Sequence, residues 1–292
     1  MRRLVLAALI LGGCAAAGAG TDSARLSAQI AWAGQGEGFG GLSALMLAPN
    51  GGSLTALGDR GVIYTAEMER DGTGRLTGIV ETSRAQLRRP DGSRTSWGEI
   101  DSESLTRVGD GFAVSLERDN AIWLYDAPDA VPRVQAVPPA FARLQTNSGI
   151  EALASGEDGT LYAIPERSGA LDRPFPVYRL RGEVWDTELQ LPRQPPYLPT
   201  GADIGPDGRL YVLERDFTGF FFRVQVRSFA IGADGLEDAR LVLPPDSTLD
   251  NAEGIDVWRG ADGGLRMTLI SDDNFFPLQR TLISEFTLPP GG

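Results

Sequence analysis

The sequence predicts an all-β protein, a β-propeller of about five four-stranded blades, and three observations support this prediction. One pattern recurs five times along the 292 residues, at intervals of 48 to 60 residues, which is typical of a propeller blade with its loops. Each copy places an Asp-Gly or Asn-Gly turn between two short apolar runs, as in a β-hairpin. The 37 glycines and 19 prolines favour many tight turns, and no segment has a helical period of useful length.

The repeated unit keeps its elements in one order. A small polar stretch leads to an acidic residue and an apolar pair, and then to the turn, a second apolar strand and a terminal acidic residue. In the third copy, Glu151 is the first acid, Asp158-Gly159 is the turn, residues 161–164 form the strand and Glu166-Arg167 ends it. The corresponding positions 43, 103, 151, 203 and 253 are separated by 60, 48, 52 and 50 residues. The long first interval leaves room for a sixth, degenerate blade, so the sequence leaves five and six open.

The two ends of the chain are predicted to close the ring. The fifth copy has a third apolar run at residues 280–288 but no fourth. Residues 26–32 alternate in polarity like a strand and have no partner of their own. We expect them to supply the missing strand, because this would join the first and last blades and remove exposed sheet edges.

The first residues are predicted to be a targeting segment. Arg2 and Arg3 precede an apolar run at residues 4–11, which is too short to span a bilayer. Leu11-Gly12-Gly13-Cys14 resembles the bacterial lipobox, and Cys14 is the only cysteine of the chain. The sequence therefore predicts a lipoprotein signal peptide at 1–13, lipidation of Cys14, a tether at 14–24 and the propeller at 25–290. An ordinary secretory signal cut nearby is the alternative.

The predicted location is the cell envelope, where the protein would be held by its lipid anchor only. In a Gram-negative host this means the outer membrane or its periplasmic face. With a formal charge of −12, binding to nucleic acid through a basic surface is not expected. We expect a monomer.

The absence of two residue types restricts the chemistry. The sequence contains no His and no Lys, and all 27 basic residues are Arg. A Ser-His-Asp triad, a His-ligated zinc, a Schiff-base lysine and a Walker lysine are therefore excluded. One cysteine also excludes an internal disulfide and a cysteine-based metal cluster. Carboxylates, hydroxyls, amides, Arg and a hard metal ion remain.

The repeat predicts a ring of carboxylates around the channel. The acids at the start of four inner strands should face one another: Glu103, Glu151, Asp203 and Glu253. Carboxylates at close range in a partly dry channel repel one another. A divalent cation such as Ca²⁺, which takes six to eight oxygen ligands, would offset the repulsion. The alternative is that each acid caps backbone amides at a blade corner.

A second ring is predicted where the next strands end. Its members are Asp59-Arg60, Glu117-Arg118, Glu166-Arg167, Glu214-Arg215 and Asp272-Asp273. Adjacent residues of a strand point to opposite faces, so these pairs could be ion pairs between blades. The alternative is a channel mouth in which Arg60, Arg118, Arg167 and Arg215 bind a phosphate beside the cation. In this arrangement Asp59 and Asp272 are further candidate metal ligands.

Several segments resemble the phytase-like β-propeller domain, often described as "esterase-like activity of phytase". The resemblance covers roughly residues 36–288, and the more specific segments are Gly58-Asp59-Arg60-Gly61 and Ser271-Asp272-Asp273-Asn274-Phe275. Other matching segments are Gly40-Gly41-Leu42-Ser43, Asp101-Ser102-Glu103-Ser104-Leu105, Asn147-Ser148-Gly149-Ile150-Glu151, Leu213-Glu214-Arg215 and Asn251-Ala252-Glu253-Gly254-Ile255. The resemblance implies a propeller and suggests hydrolysis of an ester or phosphoester.

Two functions follow from this reasoning. The first is a Ca²⁺-dependent hydrolase of small phosphoesters or related esters, in which Glu103 or Glu151 takes a proton and an Arg holds the leaving oxyanion. The second is a lipid-anchored protein that binds a ligand or organises an envelope complex without catalysis. A fold alone does not decide between them.

Overall fold

The computed structural model describes residues 23–34, 38–96, 99–144 and 148–289. Within these ranges the chain forms 20 β-strands and one short 3-10 turn, at Phe141–Arg143. The same ranges hold no helix with the length and apolar character needed to cross a bilayer. The predicted signal peptide, Cys14 and most of the predicted tether lie outside the described residues.

The strands form five four-stranded antiparallel sheets, each of which is one blade of a propeller. The inner strands, in order of blades I to V, are β2 (Leu42–Leu47), β6 (Ser102–Val108), β10 (Ile150–Ser155), β14 (Leu198–Ile204) and β18 (Asn251–Arg259). The second strands are β3 (Ser53–Gly58), β7 (Gly111–Leu116), β11 (Leu161–Pro165), β15 (Leu210–Phe217) and β19 (Leu265–Asp272). The third strands are β4 (Val62–Arg70), β8 (Ala121–Tyr125), β12 (Phe175–Arg181), β16 (Phe222–Ile231) and β20 (Leu282–Thr287). The outer strands are β5 (Leu76–Gln86), β9 (Arg133–Gln135), β13 (Val184–Leu191), β17 (Leu236–Asp246) and, in blade V, β1 (Arg25–Ala31).

The predicted closure is confirmed. Strand β1 pairs antiparallel with β20, with Arg25 opposite Thr287 and Ala31 opposite Leu282, and so completes blade V. Each inner strand contacts the inner strands of both neighbouring blades, and the contact from β18 to β2 closes the ring. The first interval of the repeat holds no extra blade among the described residues. Its additional length lies partly in β4 and β5, which have 9 and 11 residues.

The hydrophobic core lies between adjacent blades. Residues of blade IV such as Leu213 pack with Val257 and Met267 of blade V, and Leu57 of blade I packs with Trp123 of blade II. These side chains are at most 6% exposed. Burial of apolar surface between blades is the main stabilising contribution, and it fixes each inner strand beside the channel.

Candidate functional site

The inner strand of every blade contains the same β-bulge. In each case the register shifts across one residue, and these extra residues are Ser43, Glu103, Glu151, Thr200 and Glu253. A bulge changes the direction of a side chain. The carboxylates of Glu103, Glu151 and Glu253 lie close enough to perturb one another electrostatically, so they share the channel. We call this opening of the channel, at the beginning of the inner strands, the acidic mouth.

The placement predicted for Asp203 was wrong. Asp203 lies three residues beyond the bulge of its strand, whose bulge residue is Thr200. Its carboxylate accepts a hydrogen bond from the amide of Val257 at 2.7 Å, which ties β14 to β18. Asp256 makes the corresponding bond to the amide of Leu47 at 3.1 Å. Asp203 therefore belongs to the far end of the channel, where it joins neighbouring blades through the backbone.

The far end opens into a cavity of about 650 Å³. Asp203, Asp256 and Arg107 line it together with apolar side chains such as Leu105 and Ile255. Burial and the neighbouring Asp256 carboxylate raise the pKa of Asp203 well above its usual range. Burial raises the pKa of Asp256 to about 7.

The second ring is shifted by one residue in blade IV. The amides of Asp59 and Glu117 donate to the carbonyls of Gly41 and Asp101, each two residues before a bulge. By the same register, the equivalent residues are Asp59, Glu117, Glu166, Arg215 and Asp272. Arg215 thus occupies the position that an acid holds in the other four blades. Glu214 is instead fully buried inside its blade, where it binds Gln225 and Arg227.

Arg215 is a cation placed among the carboxylates of the acidic mouth. Its guanidinium group forms a salt bridge with Glu253 and a hydrogen bond with Asn251. Burial lowers the pKa of Arg215, but the carboxylates of Glu253 and Glu151 outweigh that effect and raise it. Arg215 therefore stays charged and neutralises part of the negative charge of the acidic mouth.

One cation does not compensate all of the acids. Burial and the carboxylates of Glu151 and Glu253 raise the pKa of Glu103 well above its usual range. Burial is the main cause that raises the pKa of Glu151, and the neighbouring carboxylates of Glu166 and Glu117 raise it further. A shifted pKa of this kind means that the charged form lacks sufficient compensation in the folded protein.

Asp59 and Asp272, two acids of the second ring, also have raised pKa values. Burial and Glu253 raise the pKa of Asp272 to about 8. Burial raises the pKa of Asp59 to about 6, although Arg60 acts in the opposite direction. Asp59 Oδ1 is buried and accepts no hydrogen bond from the described residues.

Three carboxylates of blade II lie in an arrangement that suits a metal ion. Asp101, Glu103 and Glu117 each offer one oxygen, and the three oxygens lie within 4.8 Å of one another. Glu117 also lies within hydrogen-bonding reach of Glu151. Carboxylate oxygens are the ligands that Ca²⁺ and Mg²⁺ prefer. The donors therefore fit a hard divalent cation, and blade II supplies them.

Sequence reasoning missed two of these three residues as metal ligands. Asp101 lies two residues before Glu103 and ends a connecting segment, so the strand pattern does not include it. Glu117 appeared in the second ring as a member of a candidate ion pair, and it was not named as a metal ligand. Their position at corresponding ends of β6 and β7 was the available signal, because adjacent antiparallel strands bring these ends together.

The other arginines of the second ring lie at the edge of the mouth. Each contacts an acid of its own blade: Arg60 with Asp59 (3.8 Å), Arg118 with Asp101 (3.3 Å) and Arg167 with Glu166 (3.2 Å). Arg118 and Arg167 are about half exposed. The guanidinium carbon of Arg60 lies 3.2 Å from the centre of the Phe275 ring.

The loop after β19 builds one wall of the mouth. Asp273 Oδ1 accepts hydrogen bonds from the amides of Gly41 and Phe275, both at 3.0 Å. Gly40 must be a glycine here, because its φ is +136° and a Cβ would lie 2.6 Å from Asp273 Oδ1. The segments Gly40-Gly41 and Asp272-Asp273, distant in sequence, therefore meet where the first and last blades join.

Comparisons with solved structures return chains of low sequence identity. An endo-arabinase from Bacteroides thetaiotaomicron matches with a TM-score of 0.47 and 13% identity over 85% of this chain and 93% of that chain. XC5397, a gluconolactonase from Xanthomonas campestris, matches with a TM-score of 0.44 and 13% identity over 85% and 72%. Hydrazine synthase of Kuenenia stuttgartiensis matches with a TM-score of 0.41 and 15% identity over 84% of this chain, which spans 62% of the longer one. With TM-scores below 0.5, none of these similarities bears on the chemistry of this chain.

A search of curated proteins found no match. A family model does match, and it covers most of the chain. The model is described as "Phytase-like: Esterase-like activity of phytase" and matches residues 37–275, which include all five inner strands and the acidic mouth. The chain therefore belongs to the phytase-like family of β-propellers.

Proposed function

We propose that this propeller is a hydrolase of small phosphoesters or related esters that depends on a divalent cation, with Ca²⁺ as the first candidate. We further propose that Cys14 anchors it to the cell envelope. The observation that carries the hydrolase proposal is the Asp101, Glu103 and Glu117 cluster, whose oxygens lie within 4.8 Å of one another in a mouth with raised carboxyl pKa values.

The cation would be held by Asp101, Glu103 and Glu117. When bound, a hard divalent cation polarises an ester or phosphoryl oxygen and lowers the pKa of a water molecule. Its charge would also compensate for the mutual repulsion that raises the pKa of Glu103. Family membership agrees with this proposal, since the family is described by esterase-like activity.

Glu151 is the residue that we assign to proton transfer. Burial and its acidic neighbours raise the pKa of Glu151, and Glu117 lies within hydrogen-bonding reach. This pair of carboxyl groups therefore retains a proton at a pH where an isolated glutamate has lost it. A group of that kind can protonate a leaving oxygen or accept a proton from water.

The arginines divide into two roles in this proposal. Arg60, Arg118 and Arg167 lie at the edge of the mouth, and we propose that they attract the anionic part of a substrate. Arg215 is held by Glu253 and Asn251. We therefore assign it to positioning Glu253 and to charge compensation, instead of the direct substrate contact predicted from the sequence.

The test combines cation binding with turnover. Wild type, Glu103→Gln and the surface control Asp234→Asn are titrated with Ca²⁺ by calorimetry, and each is assayed on a panel of esters and phosphoesters with and without chelator. Asp234 is exposed in the turn between β16 and β17, so its variant should match wild type.

The proposal expects Ca²⁺-stimulated turnover that falls at least about 100-fold in Glu103→Gln. Cation binding lost in Glu103→Gln, with no turnover in any protein, would favour a cation-dependent binding protein and contradict the hydrolase. Unchanged cation binding in Glu103→Gln would contradict the assignment of the cluster.

A further inference from the structure

The acidic mouth has a polar side and an apolar side. Because the strands alternate in direction, the connections between second and third strands all open at this mouth. They are short in blades I and II, at residues 59–61 and 117–120, and longer in blades III and V, at residues 166–174 and 273–281. In blade IV the ends of β15 and β16 extend beyond Arg215 into a hairpin with its turn at residues 218–221.

The connections of blades III to V carry large apolar side chains that face solvent. We call them the apolar rim, and they are Leu171, Phe217, Phe220, Phe221, Phe276 and Leu278. Phe220 is 95% exposed and Leu278 is 82% exposed. Other exposed large apolar residues, such as Val80 and Val184, lie on separate strands. Exposed apolar side chains grouped on one edge indicate a binding surface, whereas single ones do not.

The hairpin that carries Phe220 is closed by its own hydrogen bonds. The amide of Thr218 donates to the carbonyl of Phe221 at 3.0 Å, and the Thr218 hydroxyl donates to the same oxygen at 2.9 Å. Below the turn, Asp216 lies opposite Arg223 and forms a salt bridge with it. The aromatic side chains are therefore held out by a defined β-hairpin, which lowers the entropic cost of binding to them.

Contacts connect the rim to the interior of the mouth. The ring centres of Phe217 and Phe222 are 4.9 Å apart. The guanidinium carbon of Arg215 lies 5.3 Å from the centre of the Phe222 ring, and Arg215 in turn binds Glu253. An apolar surface thus runs from the exposed rim down to the charged groups of the channel.

The two sides face each other across the channel. In a ring of five blades, blade II lies opposite blades IV and V, and it is blade II that carries Asp101, Glu103 and Glu117. We propose that the substrate of the acidic mouth is amphipathic: its ester or phosphoester group faces this cluster, and an aromatic or acyl group packs on the apolar rim. This inference rests on the proposed hydrolase function and names its substrate class.

The test compares matched substrates that differ only in the apolar group. For 2-(1-naphthyl)ethyl and ethyl phosphate, and for 2-(1-naphthyl)ethyl and ethyl acetate, whose leaving groups are both primary alcohols, kcat/KM is measured for wild type, Phe220→Ser and the double variant Phe217→Ser/Phe220→Ser. Val184→Ser is the control, because Val184 is 70% exposed at a turn on the opposite face. Phe220→Ser removes a side chain that is almost wholly in solvent, so it should fold normally.

We expect wild type and Val184→Ser to prefer the naphthyl substrate by roughly tenfold or more, from burial of one ring. That ratio should fall by about fivefold or more in the double variant. A wild-type ratio near one, or a ratio that survives in the double variant, would overturn the proposal.

A binding measurement separates this inference from the hydrolase function. Calorimetry with Ca²⁺ compares 1-naphthyl phosphonate with methylphosphonate, and 1-naphthoate with acetate, none of which requires turnover. Tighter naphthyl binding that the double variant loses supports the rim even if no substrate is hydrolysed. Equal binding of both ligands, together with Phe220-dependent sedimentation on phosphatidylcholine vesicles, would assign the rim to a membrane surface and overturn the proposal.

Discussion

Asp272 gives the sharpest test of the electrostatics of the acidic mouth. It is 6% exposed, and burial and Glu253 raise its pKa to about 8, from an ordinary value of 3.8. Asp272 Oδ1 accepts a hydrogen bond from the amide of Asn274 at 2.7 Å, and an asparagine could accept the same bond. We therefore substitute Asp272→Asn, which removes the titratable carboxyl group and keeps the shape of the side chain.

Proton linkage gives the sign and the size of the expected change in folding stability with pH. Between pH 4 and pH 8 the folded protein holds a proton on Asp272 that the unfolded chain has released, so folding stability falls as the pH rises. Each pKa unit corresponds to about 1.4 kcal/mol. From pH 5 to pH 8 this residue should therefore remove about 4 kcal/mol of unfolding free energy from wild type, and Asp272→Asn should not show that loss.

The assay is urea unfolding followed by tryptophan fluorescence, at pH 5 and pH 8 in chelator, for wild type, Asp272→Asn and Asp234→Asn. Wild type and Asp234→Asn should lose stability in parallel, and Asp272→Asn should lose about 4 kcal/mol less. Saturating Ca²⁺ should reduce the loss in wild type, since a bound cation compensates the ionised carboxylates. Equal losses for wild type and Asp272→Asn would contradict a raised pKa of Asp272 in the folded protein.

Three further predictions concern other parts of the chain. Arg215→Gln should lower the unfolding free energy by about 3–5 kcal/mol in urea titrations, because Glu253 loses its buried partner; an unchanged midpoint would contradict this. Asp203→Ala should cost about 1–3 kcal/mol through the lost bond to Val257, while calorimetry should give an unaltered Ca²⁺ affinity. Cys14→Ser should move the protein from the membrane fraction to the soluble fraction in immunoblots, and retention in the membrane would argue against lipidation.

The sequence was sufficient for the architecture because the repeat is carried by local signals. Each Asp-Gly or Asn-Gly turn marks a hairpin, and the interval between copies gives the blade. The unpaired alternating run at residues 26–32 was enough to predict the closing strand, which is seen as β1 paired with β20. These features depend on backbone hydrogen bonding and period, both of which a single sequence displays.

Predicting the site requires the register of each inner strand. A pattern of residue types does not give that register directly. Glu103 and Glu151 each lie seven residues before the Asp of their turn, whereas Asp203 lies only four before Asp207. Thr200 has the seven-residue spacing and is the true equivalent. That count was available in the sequence. The resemblance of Ala202-Asp203-Ile204 to the other copies concealed it, since an acid flanked by apolar residues fits two positions of the strand.

The departures from symmetry are what make one asymmetric site out of five similar blades. If every bulge and every strand end carried an acid, the carboxylates around the mouth would all repel one another. Ser43 and Thr200 replace two of these acids with hydroxyls, and Arg215 replaces a third with a cation. The three carboxylates that lie close enough to share a metal ion belong to blade II, and the apolar connections of blades IV and V fall on the opposite side. An equal ring would favour a cation on the axis, whereas this arrangement favours one displaced toward Glu103.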